Sequence, residues 1–530
     1  AGAARVAFFP NNGRTVDLGA TGGAGQYVVT DAELDRVTTT GTVRVGNAFT
    51  GNTVFTGPIS LANADTLAVY AGAGTINDTG AGDVYTDTNL LVSTLAGGGI
   101  GTTSPLNVSV TNLAANDGSA DGIDITNNGS VTLTTVDGGT GATSTTGPVT
   151  ITATGTIVVS QASGAAGVVT LDAQGAASDL TLNSAISQAG STDGIVLRAD
   201  RNITGDTNGT ISISDGGTIS IFIDDDANAT GTLNLDGTIT LNRNGAGAEP
   251  TLTVNMPTGT SGSLDGVISD DSAATFSKTG AGTLTLTAAN TFDGLATVGA
   301  GTLLVSGSLT SAVQVDAGAT LGGTGTTGTI NSDGTIAPGA SAGDLTSSGD
   351  VTFANNSTFS VEIGGATVGT QYDQLTLNGT VTIGANVTLS TSQLNGFNPT
   401  DGQQFTIIEN TSANAVSGTF NGLAEGALIP NFLGTSTGAT ISYVGGTGSN
   451  DVVLTALAPT TTVSLDGNDL KIEDTNGADT DDALTISADG TTLTITDPGN
   501  LLTVSGIGGA TGDGTNTITV PLSAFSGSVV

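Results

Sequence analysis

A chain of 530 residues with formal net charge −38, from 9 Lys+Arg against 47 Asp+Glu, lacks the cations needed to neutralise phosphates. This rules against binding to nucleic acid and to anionic membrane surfaces. Cys, His and Trp are absent, which removes disulfides, Cys/His zinc sites and every catalytic triad or general base built on His.

In chain order, residues 1–40 are an irregular N-terminal capping or subunit-joining segment around Phe8-Phe9-Pro10. AGAARVAFFPNNG has no long apolar run, so the chain reads as mature, with any export signal already removed, and no stretch is long enough to span a membrane as a helix. TDAELDRV (30–37) is the helical candidate. Thr30 or Asp31 can cap it, and Glu33 stands three residues after Thr30, as in a capping box.

From residue 41, apolar residues alternate in short bursts: TVRVG, NTVFTG, TLAVYAG, VSVTNLA, VTITATG, VVTLDAQG, ISISDGG, TITLNRNG. Period-two alternation means strands with one buried face. The bursts recur roughly every ten residues, and strands this short cannot make a core alone. They can if the chain coils and each turn stacks on the last, as in a β-solenoid. Asn128-Gly129, Asp137-Gly138, Asn208-Gly209, Asp215-Gly216, Asp236-Gly237 and Asn244-Gly245 punctuate the bursts and are expected to supply positive φ at the corners. A two-sheet sandwich shows the same alternation; the solenoid is preferred because the pattern runs for hundreds of residues with small side chains. It is clearest in residues 276–365, with Leu284/Leu286, Leu303/Val305, Val313/Val315, Val351/Phe353 and Phe359/Val361/Ile363.

Two stretches carry family resemblances. VVTDAELDRVTTTGTVRVGNAFTGNTVFTGPISL, with blocks such as GSVTLTTVDGG, resembles the filamentous-haemagglutinin-like repeats of large bacterial exoproteins over roughly 27–245. TGAGTLTLTAANTFDGLATVGAGTLLVSG and GATLGGTGTTGTINSDGTIAPGASAGDLT, within 279–345, resemble the autotransporter-associated β-strand repeat. That resemblance implies a right-handed parallel β-helix on a secreted or surface-attached bacterial protein. No outer-membrane barrel follows in this sequence, so self-transport by this chain is not expected.

The expected architecture is all-β: a right-handed parallel β-helix (β-solenoid) over 41–275, 276–365 and a closing part, 366–458, with a small C-terminal antiparallel β domain. Phe397, Phe420 and Phe432 are expected to seal the closing part, because an open terminal coil exposes strand edges. APTTT (458–462) reads as a linker, and 459–530 as an Asp-rich β module resembling those of other secreted bacterial proteins. The final SGSVV looks like a strand, either cut from a longer protein or pairing with another subunit.

Candidate site chemistry is confined to carboxylates. Ca²⁺ takes oxygen ligands, and the two densest sets are Asp224, Asp225, Asp226 and Asp469, Glu473, Asp474, Asp479, Asp481, Asp482. Neither has EF-hand spacing, and the alternative for both is solvated loop acid. A β-helix lyase would want a basic residue beside such acids, and the long coil offers only Arg198, Arg201 and Arg243. Lys–Asn isopeptide staples are limited to Lys278 and Lys471. Gly322-Gly323-Thr324-Gly325 lacks the Gly-Lys-Ser/Thr of a phosphate loop and reads as a turn.

These observations lead to a secreted structural protein. About 20 coils at ~4.8 Å make a rod on the order of 100 Å, self-associating head to tail into a cell-surface fibre, matrix or layer. The alternative is an adhesin whose β-helix is a stalk presenting a binding module to a surface polysaccharide or host surface. A polysaccharide-active β-helix enzyme is the third reading.

Overall fold

The computed structural model describes residues 4–11, 13–19, 26–79, 82–190, 194–226, 228, 230–243, 248–475 and 483–530. The chain forms two compact units: Ala1–Leu303 with Gly307–Ala312, and Leu304–Ser306 with Val313–Val530.

In the first unit the chain coils as a parallel β-helix with three strands per coil. One ladder runs Ile123–Asn127, Val149–Ala153, Val169–Ala173, Ile195–Ala199, Thr218–Ile223, Thr251–Asn255, Thr275–Thr279, Ala296–Val298, each parallel to the next. A second starts at Val131–Leu133 and continues through Ile157–Val159 and Leu180–Leu182 to Thr283–Leu286. A third runs from Ala142–Ser144 to Ile268–Asp270.

Register makes the core. Ile125, Ile151, Leu171, Leu197, Ile221 and Val254 fall on one column, and all are 0 % exposed. Coil spacing is set by the main-chain hydrogen bonds at ~4.8 Å, which brings like side chains into van der Waals contact along the column. Outward positions in the same strands are mostly Thr, Ser, Asp and Asn, such as Asp124, Thr150, Thr170 and Asp172.

The glycine corners divide into two kinds. Gly129, Gly138 and Gly216 have positive φ, as expected. Gly209 and Gly237 do not. A Cβ on Gly209 would lie 2.2 Å from the Leu182 carbonyl oxygen, and one on Gly237 would lie 2.3 Å from that of Gly209. These two are glycine because stacked turns approach too closely for any side chain, a requirement the dipeptide signal does not distinguish from turn geometry. Asn244-Gly245 lies outside the described residues.

Asp137-Gly138 is not a coil corner. It is the tip of an antiparallel hairpin, Thr135–Val136 on Gly139–Thr140, with φ 45° and 92° at the two tip residues. Positive φ at both central positions suits a tight two-residue hairpin. The hairpin folds back over the outside of the coils, where Val136 packs on Ala68, Leu91 and Ala114.

At the N-terminal side, Val6–Phe8 pairs with Thr42–Val45, and Tyr27–Thr30 with Val16–Gly19. The helix is a single turn, Asp31–Leu34. Glu33 N–H donates to Thr30 Oγ1 at 3.3 Å, and Thr30 N–H donates to Glu33 Oε2 at 2.9 Å, completing the capping box. Leu34 is buried beneath it.

The second unit repeats the three-strand coil. Its ladders are Val313–Val315 to Val381–Ile383, Thr320–Gly323 to Thr388–Gln393, and Thr326–Thr327 to Gln404–Asn410. Then the direction changes. Asp451–Leu457 adds to Gln404–Asn410 in antiparallel fashion, followed by Gly438–Gly445 and Leu428–Ile429. Aromatic rings fill this region. Phe420 stacks on Phe359 at 6.2 Å, and Phe397, Phe432 and Tyr372 surround Phe405.

The described residues of 461–475 and 483–521 form two three-stranded sheets over a core of Val463, Leu470, Leu493, Ile495, Leu502, Ile518 and Val520. All pairings are antiparallel except Thr461–Asp466 with Leu502–Val504, which is parallel. The last residues are paired within the chain: Leu470 N–H donates to Ser528 O, and Val530 N–H to Leu470 O, at 2.9 and 2.8 Å. No helix among the described residues is long and apolar enough to cross a membrane.

Candidate functional site

The first acidic set is spent on its own loop and its neighbours. Asp224, 1 % exposed with φ 51°, accepts from Asn228 N–H at 3.0 Å and Thr230 N–H at 3.5 Å. Asp225 pairs with Arg198 at 3.0 Å, and Asp226 takes the Asn228 carboxamide at 2.8 Å. In the second set, Asp469 accepts from Ser528 N–H at 2.6 Å and Glu473 pairs with Lys471 at 2.8 Å. Asp474 also has a partner, and Asp479, Asp481 and Asp482 lie outside the described residues. Among the described residues no three carboxylates converge as a metal-holding group.

Arg198, Arg201 and Arg243 are likewise engaged in separate ion pairs. Arg198 also lies over the Phe222 ring at 4.3 Å. Arg201 forks onto Asp179 at 2.8 and 2.5 Å, and this hydrogen bonding holds the Asp179 carboxyl below its ordinary range. Arg243 pairs with Glu249.

Buried polar groups hold the coils together. Asp117, 3 % exposed, accepts from Ser119 N–H and Oγ, Gly122 N–H, Ser144 Oγ and Thr94 Oγ1, tying adjacent coils at one corner. Asp373, 2 % exposed, accepts from Gly343 N–H at 2.8 Å and Glu362 N–H at 2.7 Å. Burial pushes its pKa up to about 7.

The least expected of these groups is Lys278. It occupies the inward column after Val254 and before Val298, and is 0 % exposed. Its Nζ donates to the carbonyls of Gly280, at 2.6 Å, Ala300, at 2.8 Å, and Gly282. Three N–H donors meet three acceptors, which is what an ammonium requires when no carboxylate accompanies it. Burial lowers its pKa to about 8. A Cβ on Gly301 would stand 2.5 Å from Nζ, so that glycine, with φ 65°, makes the space. Alternation in FSKTG puts Lys278 on the Phe276 side; residue type alone would have put it outside. The other isopeptide candidate, Lys471, is held by Glu473 instead.

Comparison with known families falls on this same coil. Residues 276–305 match the passenger-associated-transport-repeat, a repeat of autotransporter passengers. The match covers the strand that carries Lys278 and both its carbonyl-bearing turns. No curated protein matches the chain.

Proposed function

We propose that this chain is a secreted or cell-surface bacterial protein in which the parallel β-helix is a stalk, displaying outward loops and surfaces rather than performing catalysis. The observation that carries the reading is the coincidence at 276–305: a passenger-type repeat match lies on an intact coil of the helix. Column stacking supports the mechanical role, since each coil buries its apolar face only against its neighbours. The shifted carboxylates are absorbed in turns and coil corners, which supports a structural use for them. The test is protease shaving and antibody labelling of intact cells. Release and labelling of the chain from whole cells are expected, and retention in the cytosolic fraction would overturn the reading.

A second reading, self-association into a fibre, is favoured by Phe9, 49 % exposed in the N-terminal segment. The segment 528–530 is already hydrogen-bonded to Leu470 and Ile472, so joining through that edge needs a rearrangement. Analytical ultracentrifugation and electron microscopy of the purified chain separate filaments from single molecules.

A further inference from the structure

Near the N-terminal coils a cleft of about 590 Å³ opens between Pro10, Asn11 and Gly13 on one side and residues 47–52 on the other, with Ala73 and Gly74 beside them. Its size is that of a small-ligand site, within the roughly 300–1,000 Å³ typical of such sites. Among the described residues none that lines it is charged, on a molecule of net charge −38.

Its features are built. Phe49 is 76 % exposed, the most exposed large apolar side chain of the described residues. It is held out by its own turn: Phe49 N–H donates to Asn47 Oδ1 at 2.8 Å, and Thr50 N–H to Asn47 O at 3.0 Å. Asn52 Oδ1 accepts from Thr75 N–H at 3.1 Å, fixing that carboxamide too. With their oxygens so occupied, Asn47 and Asn52 keep Nδ2 for a ligand, and Asn11 keeps its whole carboxamide among the described residues. Two close glycine approaches shape the floor. A Cβ on Gly51 would meet Gly13 O at 2.6 Å, and one on Gly74 would meet Asn52 N at 2.4 Å.

An exposed ring beside uncharged amides excludes much. Among the described residues that line the cleft there is no cation for a phosphate or uronate, and no carboxylate for a metal ion. A wholly apolar ligand would strand the amides. A pyranose offers both complements: an apolar C–H face for the ring and hydroxyls for the amides.

We propose that this cleft binds a neutral carbohydrate through Phe49, Asn11, Asn47 and Asn52. The proposal rests on the surface-stalk reading for its biological setting, but its chemistry is tested apart from it, on purified full chain. Saturation-transfer NMR and calorimetry with maltotetraose, cellotetraose, mannotetraose and chitotetraose are expected to show binding of at least one. Phe49→Ala should weaken that binding by about tenfold, and Asn11→Ala by roughly threefold. Both side chains are exposed, so unchanged melting curves are expected for the variants. No binding of any of the four up to about 10 mM would overturn the proposal. So would binding that Phe49→Ala leaves unchanged, a preference for polygalacturonate, or self-association that Phe49→Ala abolishes in a chain that binds no sugar. Failure of cell-surface labelling would strike the stalk reading alone.

Discussion

Arg5 and Asp137 stand 132 positions apart in the chain and share an ion pair of 2.6 Å. Arg5 is on the N-terminal margin and half exposed, whereas the Asp137 side chain is 4 % exposed at the hairpin tip. Thr42 Oγ1 donates to the same carboxylate oxygen at 3.0 Å, and Arg44 lies close by, 3.7 Å over the Tyr70 ring. The hairpin is thus a clasp: Val136 holds it to the coils by apolar contact, and Asp137 reaches back to the first strands.

The two partners should not be equivalent. Arg5→Ala leaves a buried carboxylate with Thr42 alone, and is expected to cost about 2–3 kcal/mol of local stability. Asp137→Asn keeps an acceptor for Thr42 and tolerates φ 45°, and frees Arg5 to water; it should cost about 1 kcal/mol. Hydrogen exchange at residues 6–8 and 42–45 measures both, with Arg5→Ala the faster exchanger. Equal exchange in wild type and Arg5→Ala would show that the clasp does not hold these strands.

The coil itself was legible because its code is local. Alternation at Ile125, Ile151 and Leu171 states which side is inward, and the small residues state that the interior is thin. What stacking adds was not legible. Gly209 and Gly237 carry the same dipeptide signal as Gly129, yet they answer to a carbonyl in the preceding coil. Asp137-Gly138 is a sound turn signal, but a turn signal cannot say whether the chain turns a corner or leaves the coil as a hairpin. The carboxylates of 224–226 were visible as a cluster; the Arg198 and Asn228 partners that occupy all three come from the fold. Phe49 was hidden because one aromatic in a polar stretch has no periodic signature.

Lys278 gives a sharper test. Lys278→Met fills the column with similar bulk but takes the side-chain donor from the carbonyls of Gly280 and Ala300, and leaves that of Gly282 with Thr302 N–H alone. A loss of at least about 2 kcal/mol is expected, since a buried acceptor left unpaired costs about 1–3 kcal/mol. Its pH dependence has a defined sign. The folded pKa, about 8, is below the ordinary 10.5, so the buried charge weighs against the fold at neutral pH. That cost is relieved as pH rises from about 8 to 10.5, by up to about 3 kcal/mol. Tyr443, pushed from 10 up to about 12 by burial, loses its contribution only from pH 10 upward, and does so in both proteins. Melting wild type and Lys278→Met across it, and taking the difference, isolates the effect. A difference that stays flat would show that Lys278 does not titrate in the fold.

Asp373 predicts the opposite slope in a lower window. Its folded pKa is raised by burial, with the charge of Glu362 adding to the rise, from 3.8 to about 7. A carboxyl that prefers to be protonated in the fold contributes most below pH 3.8, and that contribution is lost as pH rises through 7, up to about 4 kcal/mol. Gly343 and Glu362 N–H hold both oxygens, so the strands that begin the coil at Asp344–Ser347 and run through Thr358–Ile363 should loosen first. Asp373→Asn cannot ionise, and its amide must face one of those N–H groups, a cost that is the same at every pH. Chemical denaturation of both proteins between pH 4 and 8 is expected to show the wild type losing stability relative to Asp373→Asn as pH rises. Parallel curves over that range would show the carboxylate to be ionised throughout, with its two N–H partners compensating for burial.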